Sequence, residues 1–303
     1  MKTRSMRAAC FFVSLVGAPA CVPPDEAEET GSIEFTFEAS ARTREGISFD
    51  DTEERIAVDF ERVVLGFKTM TIGKIGEPDL CAYRGRGAAS DVVFDPRKGL
   101  VQSFNGIQPA DCPDVGIIFG PPGARTTLGE GVSSSDLVEL ATGRPAHAIV
   151  EATATWMLQS SAGTRPRTLA IKLRFDSERT ATRFAGCRAA ARGVRVLPNA
   201  RDAVTVRFAA ENLFRDAIST SADLRVRPFF EADESGDRDG VVTMAELDDY
   251  PLSRIFYGFY QLPDGTRRGS LGDFVRALFR FTIQFRTEEG ICVGNEPGSG
   301  EEG

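Results

Sequence analysis

The chain has a single histidine, His147, in 303 residues. A histidine metal cluster is therefore excluded, and so is any mechanism that needs two imidazoles. No G-x-S-x-G elbow, phosphate loop or H-E-x-x-H motif occurs. The run Gly85–Ser90 has two glycines of a dinucleotide loop but lacks the third, and no βαβ pattern surrounds it. Methionine is scarce, with five in all, which together with the lone histidine argues against a copper carrier. One tryptophan, Trp156, and four tyrosines leave little for an aromatic sugar platform. Basic charge is also short: 36 Lys and Arg stand against 44 Asp and Glu, a net charge of −8. That balance gives no electrostatic case for nucleic acid.

What is abundant is period-two alternation. Ile33, Phe35 and Phe37 alternate with polar residues, as do Ile56, Val58 and Phe60, then Leu169, Ile171, Leu173 and Phe175, then Val204, Val206 and Phe208. Each reads as a half-buried strand. Val63–Ile72, Val115–Phe119 and Ala148–Trp156 are further candidates, and Gly120-Pro121-Pro122-Gly123, Pro198-Asn199 and Asp264-Gly265 punctuate them. The pattern predicts a mainly β protein, an antiparallel β-sandwich with few short helices. Glu211–Ala217 has room for a helical turn or two. Leu271–Leu278 is a better helix, with Ser270 as N-cap and Leu271, Phe274, Val275 and Leu278 on one face. Residues 279–286 alternate again and read as a strand, although the same pattern lets the helix continue.

One stretch carries chemistry: Asp233–Glu246, DESGDRDGVVTMAE. Oxygen-bearing side chains fall at alternate positions, then comes a glycine, then a glutamate six residues on. Calcium takes six to eight oxygen ligands, and alternate residues of a tight loop supply them. The spacing resembles the EF-hand calcium loop, D-x-[DN]-x-[DN]-G-x5-E, with Gly240 as the loop glycine. The resemblance implies a Ca2+ site made by Ser235, Asp237, Asp239, the Val241 carbonyl, Thr243 and Glu246, with Val242 anchoring the loop to the core. Serine in first place departs from the pattern, and Asp233, two residues earlier, either replaces or supplements it. The run D-x-S-x-D-x-D-G is similar to looser calcium loops of bacterial extracellular proteins, which often lack the entering helix. Leu224–Phe230 alternates and contains Pro228, which reads as a poor helix. On the exit side, Thr243 and Glu246 form a capping-box pattern that predicts a short helix and needs no metal to explain it. A serine in first place points to a weak, extracellular-type affinity, on the order of 10⁻⁴–10⁻³ M.

The N-terminus orders Lys2, Arg4 and Arg7 before an apolar run, Ala8–Val16, and then small residues. This is the order of a secretory signal peptide, residues 1–20, and the run is far short of the ~20 residues that span a bilayer. Cys21 follows, and the junction resembles a bacterial lipoprotein signal whose cysteine is lipidated, although Ala18 stands where leucine is usual. Ala18-Pro19-Ala20 equally fits ordinary cleavage. The chain has six cysteines. Cys10 leaves with the leader; lipidation of Cys21 then leaves Cys81, Cys112, Cys187 and Cys292, an even set for two disulfides. Three connectivities exist, of which Cys81–Cys112 with Cys187–Cys292 keeps the first bridge local. The cysteine spacings do not suit zinc.

The expected organisation is a flexible tether at 21–31, a β-sandwich at 32–227, the calcium loop with its C-terminal helix and strand at 228–290, and a disordered acidic tail at 291–303. The expected function is a non-enzymatic, calcium-binding envelope lipoprotein, anchored to a membrane by its N-terminal lipid, with an unidentified protein or carbohydrate ligand and no nucleic-acid partner. The alternative is a secreted or surface hydrolase of the carboxylate, glycosidase-like type with a calcium-stabilised β fold.

Overall fold

The computed structural model describes residues 30–49, 55–73, 91–107, 109–112, 114–160, 163–188, 194–287 and 290–294. The chain opens with β1 (Gly31–Ala39), α1 (Ala41–Glu45), β2 (Ile56–Gly73) and β3 (Val92–Phe94). Next come β4 (Leu100–Ile107), β5 (Ala110–Cys112), β6 (Asp114–Phe119), β7 (Thr127–Leu128) and α2 (Ser134–Ala141). The long hairpin β8 (Ala146–Ser160) and β9 (Gly163–Asp176) leads to β10 (Arg183–Arg188), β11 (Val194–Val196) and β12 (Arg201–Phe208). A 3-10 turn, Ala210–Phe214, precedes α3 (Arg227–Ser235), β13 (Val241–Thr243), α4 (Met244–Asp249), α5 (Leu271–Phe279), β14 (Ile283–Phe285) and β15 (Ile291–Gly294).

The protein is mainly β. Among the described residues one sheet runs β13-β9-β8-β2-β6-β10-β15-β14-β12-β1-β4, with β3 joined to β2 and to β7, and β11 pairs with β5 separately. Most pairings are antiparallel. β1 with β12, β3 with β7 and β13 with β9 are parallel. The sheet folds back on itself in a sandwich-like way. Phe37 of β1 lies 5.0 Å, ring to ring, from Phe67 of β2, six strands away along the sheet. Phe37 also meets Phe94 of β3 at 6.0 Å. The predicted alternation is what makes this possible: β1 buries every second residue, Ile33, Phe35 and Phe37 among them. The core is phenylalanine-rich. Phe35–Phe104 and Phe119–Phe184 pack edge to face, both at 5.6 Å and 83°, the arrangement the ring quadrupole favours.

α5 begins where predicted. Ser270 Oγ accepts from the Asp273 N–H at 3.0 Å, and Asp273 returns the bond to the Ser270 N–H at 3.2 Å, a closed capping box. Its last residue, Phe279, stacks among Phe175, Phe184 and Phe208. α5 is tied to α4 by Arg276, whose guanidinium donates to both oxygens of Asp248 at 2.6 and 2.8 Å. Burial works to raise the Asp248 carboxyl, but Arg276 and Arg179 outweigh it and hold it below the usual carboxylate range.

Four expectations need correction. The segment before the loop is helical: α3 starts at Arg227, and Pro228 sits in the first turn, where its missing N–H has no intrahelical partner to lose. Residues 279–286 are not one strand. The helix runs on through Phe279, turns, and β14 occupies only Ile283–Phe285, because Phe279 is drawn into the aromatic core. The chain also does not leave the fold at 291. Ile291–Gly294 is β15, paired with β10 and β14, and Cys292 is disulfide-bonded to Cys187 of β10. At the other end, β1 already starts at Gly31, the last residue assigned to the tether.

Candidate metal centre

The expected loop lies between α3 and α4, so its surroundings are helix–loop–helix, with β13 inside. The last turn of α3 brings in Asp233, which is 4% exposed. Ligand oxygens of Asp233, Asp237 and Asp239 all lie within 4.8 Å of one another. Hydrogen bonds to the backbone hold each in place. Asp233 Oδ1 accepts from the Gly240 N–H at 3.1 Å, Asp237 Oδ1 from Asp239 N–H at 3.2 Å, and Asp239 Oδ1 from Val241 N–H at 2.7 Å. Gly240 has φ +81° and Arg238 has φ +62°, the left-handed conformations that let so short a loop turn its carboxylates inward.

None of these three aspartates forms an ion pair among the described residues. Like charges about 5 Å apart repel by roughly 1–3 kcal/mol per pair at effective dielectrics between those of water and a protein surface. A bound cation reverses that sign. The group can hold a metal ion.

Ser235 bonds locally. Its Oγ donates back to the Ala232 carbonyl at 3.0 Å, so the hydroxyl closes the end of α3. Of the two first-position candidates, Asp233 is the one gathered with Asp237 and Asp239. Thr243 caps α4: its N–H donates to Glu246 Oε2 at 2.9 Å, and its Oγ1 accepts from the Glu246 N–H at 3.4 Å. Glu246 therefore serves the cap with one oxygen. The other, Oε1, is buried and has no hydrogen-bond partner. It faces the loop backbone at Gly236, where a Cβ would come within 2.6 Å of it. An orphaned buried carboxylate oxygen is costly unless something positive reaches it. Glu246 stands outside the three-aspartate group, but its spare oxygen borders the same loop.

Val241 contributes through the sheet. β13 pairs in parallel with Ala170–Lys172 of β9, and the Gly240 carbonyl accepts from Ala170 N–H at 3.0 Å. Carbonyls alternate along a strand, so that of Val241 is directed away from β9. Val242 is fully buried, as an anchor to the core should be.

Cys187 and Cys292 form the expected bridge, with Cα atoms 4.1 Å apart. Cys112 is the last residue of β5, and its side chain lies outside the described residues, as do Cys81, the leader, Cys21 and most of the tether. His147 is wholly buried, edge-on to Phe279 at 5.2 Å, with Nδ1 3.3 Å from Ser177 Oγ. Burial drives its pKa down to about 3, a backbone contact at Ala181 pulling the other way. For the hydrolase alternative, a cavity of about 490 Å3 is lined in part by Glu38 and Glu130, and Glu38 is already held by Arg207 at 2.8 Å.

Compared with known protein families, curated proteins and solved structures, the chain matches none of them.

Proposed function

We propose that the chain is an exported, calcium-binding module of the bacterial cell envelope, a non-enzymatic binding or scaffold protein tethered to a membrane through a lipid on Cys21. The observation that carries the calcium reading is the convergence of Asp233, Asp237 and Asp239 within 4.8 Å, with the spare oxygen of Glu246 beside the same loop. All are oxygen donors, and flexible all-oxygen loops favour calcium over magnesium, which demands a tight octahedron. The role is structural. The loop joins α3 to β13, and β13 is hydrogen-bonded to the sandwich, so an ion there fastens the helical C-terminal part to the sheet. The export and anchoring readings rest on the leader and on cysteine parity; two disulfides, Cys81–Cys112 and Cys187–Cys292, go with them.

The test is a thermal melt of chelator-stripped protein titrated with calcium and, separately, magnesium. A hundredfold excess of calcium over its dissociation constant should stabilise the fold by about 2.7 kcal/mol, and magnesium by much less. A melting temperature unmoved by calcium up to about 100 mM, a hundredfold excess over the weakest expected dissociation constant, rejects the site. Detergent partition of the wild type against Cys21→Ser tests the anchor separately.

A further inference from the structure

Between α4 and α5 the chain makes an excursion, residues 252–269, whose ends are pinned together. Pro251 and Ser270 form an antiparallel bridge, Leu252 N–H donates to the Gly269 carbonyl at 2.9 Å, and Leu271 N–H donates to the Tyr250 carbonyl at 2.8 Å. Long loops with closed ends carry function disproportionately often. This one holds Phe256 at 89% exposure and Phe259 at 72%. They are the only exposed phenylalanines among the described residues, in a protein that otherwise spends phenylalanine on its core.

Their exposure is built in. Ile255 and Tyr260, immediately before and after the pair, are 0% and 2% exposed. Tyr260 packs on Phe274 of α5 at 5.0 Å and edge-on to Tyr257 at 6.3 Å. Tyr257 lies under the Arg227 guanidinium at 4.4 Å. Gly258 turns the chain between the two phenylalanines at φ +69°. Two buried anchors and a turn thus hold both rings out into solvent.

We propose that this loop is a membrane-docking element that inserts Phe256 and Phe259 into the surface of an anionic phospholipid bilayer. The local charge complements such a surface. Residues 252–269 contain Arg254, Arg267 and Arg268 against one acid, Asp264, on a chain whose net charge is −8. All three arginines are exposed, and Arg254 and Arg268 have no carboxylate partner among the described residues. A bilayer interface accepts protruding rings, and a basic rim draws them to acidic headgroups. The inference does not rest on the metal site.

The test uses the full chain carrying Cys21→Ser, so that no lipid is attached, in chelator, so that calcium cannot bridge acidic groups to the vesicles. Phe256→Trp and Phe259→Trp report the depth of each position. With mixed phosphatidylcholine–phosphatidylglycerol vesicles their emission should shift to the blue and be quenched by brominated acyl chains; pure phosphatidylcholine should give much less. In cosedimentation, each Phe→Ser change should weaken partitioning about tenfold, and Arg254→Gln with Arg268→Gln should flatten its salt dependence. The leader is common to all variants and cancels. Tryptophans that stay water-exposed and unquenched on anionic vesicles overturn the proposal. A blue shift that grows with protein concentration in the absence of lipid, accompanied by dimers in sedimentation, also overturns it, by showing that a second copy covers the loop.

Discussion

The carboxylate of Asp233 accepts a hydrogen bond from the N–H of Gly240, seven residues further on and 3.1 Å away. That bond closes the loop across its neck. It commits a residue from the last turn of α3 to the inside of the turn, while Ser235, in the register position the loop pattern assigns first, looks back at its own helix.

Substitution should separate the two residues cleanly. Asp233→Asn keeps an acceptor for Gly240 but loses the charge, and should weaken calcium binding by tenfold or more, as Asp237→Asn does. Ser235→Ala should leave calcium affinity within about twofold, since it removes only a local bond to Ala232. Isothermal titration of the three variants decides the matter. A Ser235→Ala protein that loses calcium while Asp233→Asn retains it would restore serine to first place.

His147 should make the fold acid-sensitive. In the unfolded chain it titrates near 6.5, whereas burial holds it neutral in the fold down to about 3. Below about pH 6.5 the unfolded state therefore binds a proton that the folded state excludes, and acid favours unfolding. Its contribution is fully present above pH 6.5 and is lost as pH falls toward 3, at up to about 1.4 kcal/mol per pH unit. Urea unfolding at pH 7 and pH 5 should show a wild-type loss that His147→Gln lacks, on the order of 2 kcal/mol. Equal losses in the two proteins would mean that the imidazole is protonated in place.

The Cys187–Cys292 bridge spans 105 residues, a segment that contains β12, the candidate metal loop and α5. Cross-linking so long a stretch restricts the unfolded chain, by the loop-entropy estimate, by about 4–5 kcal/mol. Replacing both cysteines with serine should cost roughly 2–5 kcal/mol in chemical denaturation. Because the bridge lies between β10 and β15, amide exchange should rise first in Ile291–Gly294. A double variant with wild-type stability and unchanged exchange there would show that the sheet pairing alone holds β15.

The sandwich was legible because alternation is a local signal. β1, β9 and β12 show it with little interruption, and a half-buried strand leaves that trace whatever it packs against. The acidic loop was legible because its ligand spacing is set by backbone geometry. Part of what was not legible depended on distant contacts, and part on position within an element. Pro228 reads as a breaker when its position in the helix is unknown, although proline in the first helical turn costs nothing. Phe279 belongs to a helix because Phe175, Phe184 and Phe208 receive its ring, and no window of sequence around it holds that information. β15 lies just before an acidic, glycine-rich end whose composition outweighed four strand residues. The choice between Asp233 and Ser235 turned on which side chain the helix end directs inward. Phe256 and Phe259 carried a signal that could have been read, F-Y-G-F-Y, but nothing in the string tells which rings are buried.

β13 has one more consequence. Among the described residues it is the outermost strand of the large sheet at that end, and its three residues, Val241–Thr243, pair with Ala170–Lys172 of β9. Bare strand edges recruit strands from other molecules, and proteins protect them with short covering segments. By positioning β13, the acidic loop therefore also helps cover part of that edge. Should it slip, β9 offers its backbone to a neighbouring chain while the core is still intact. If the loop holds the proposed ion, its loss would then register in concentrated solution as clumping before it registers as melting.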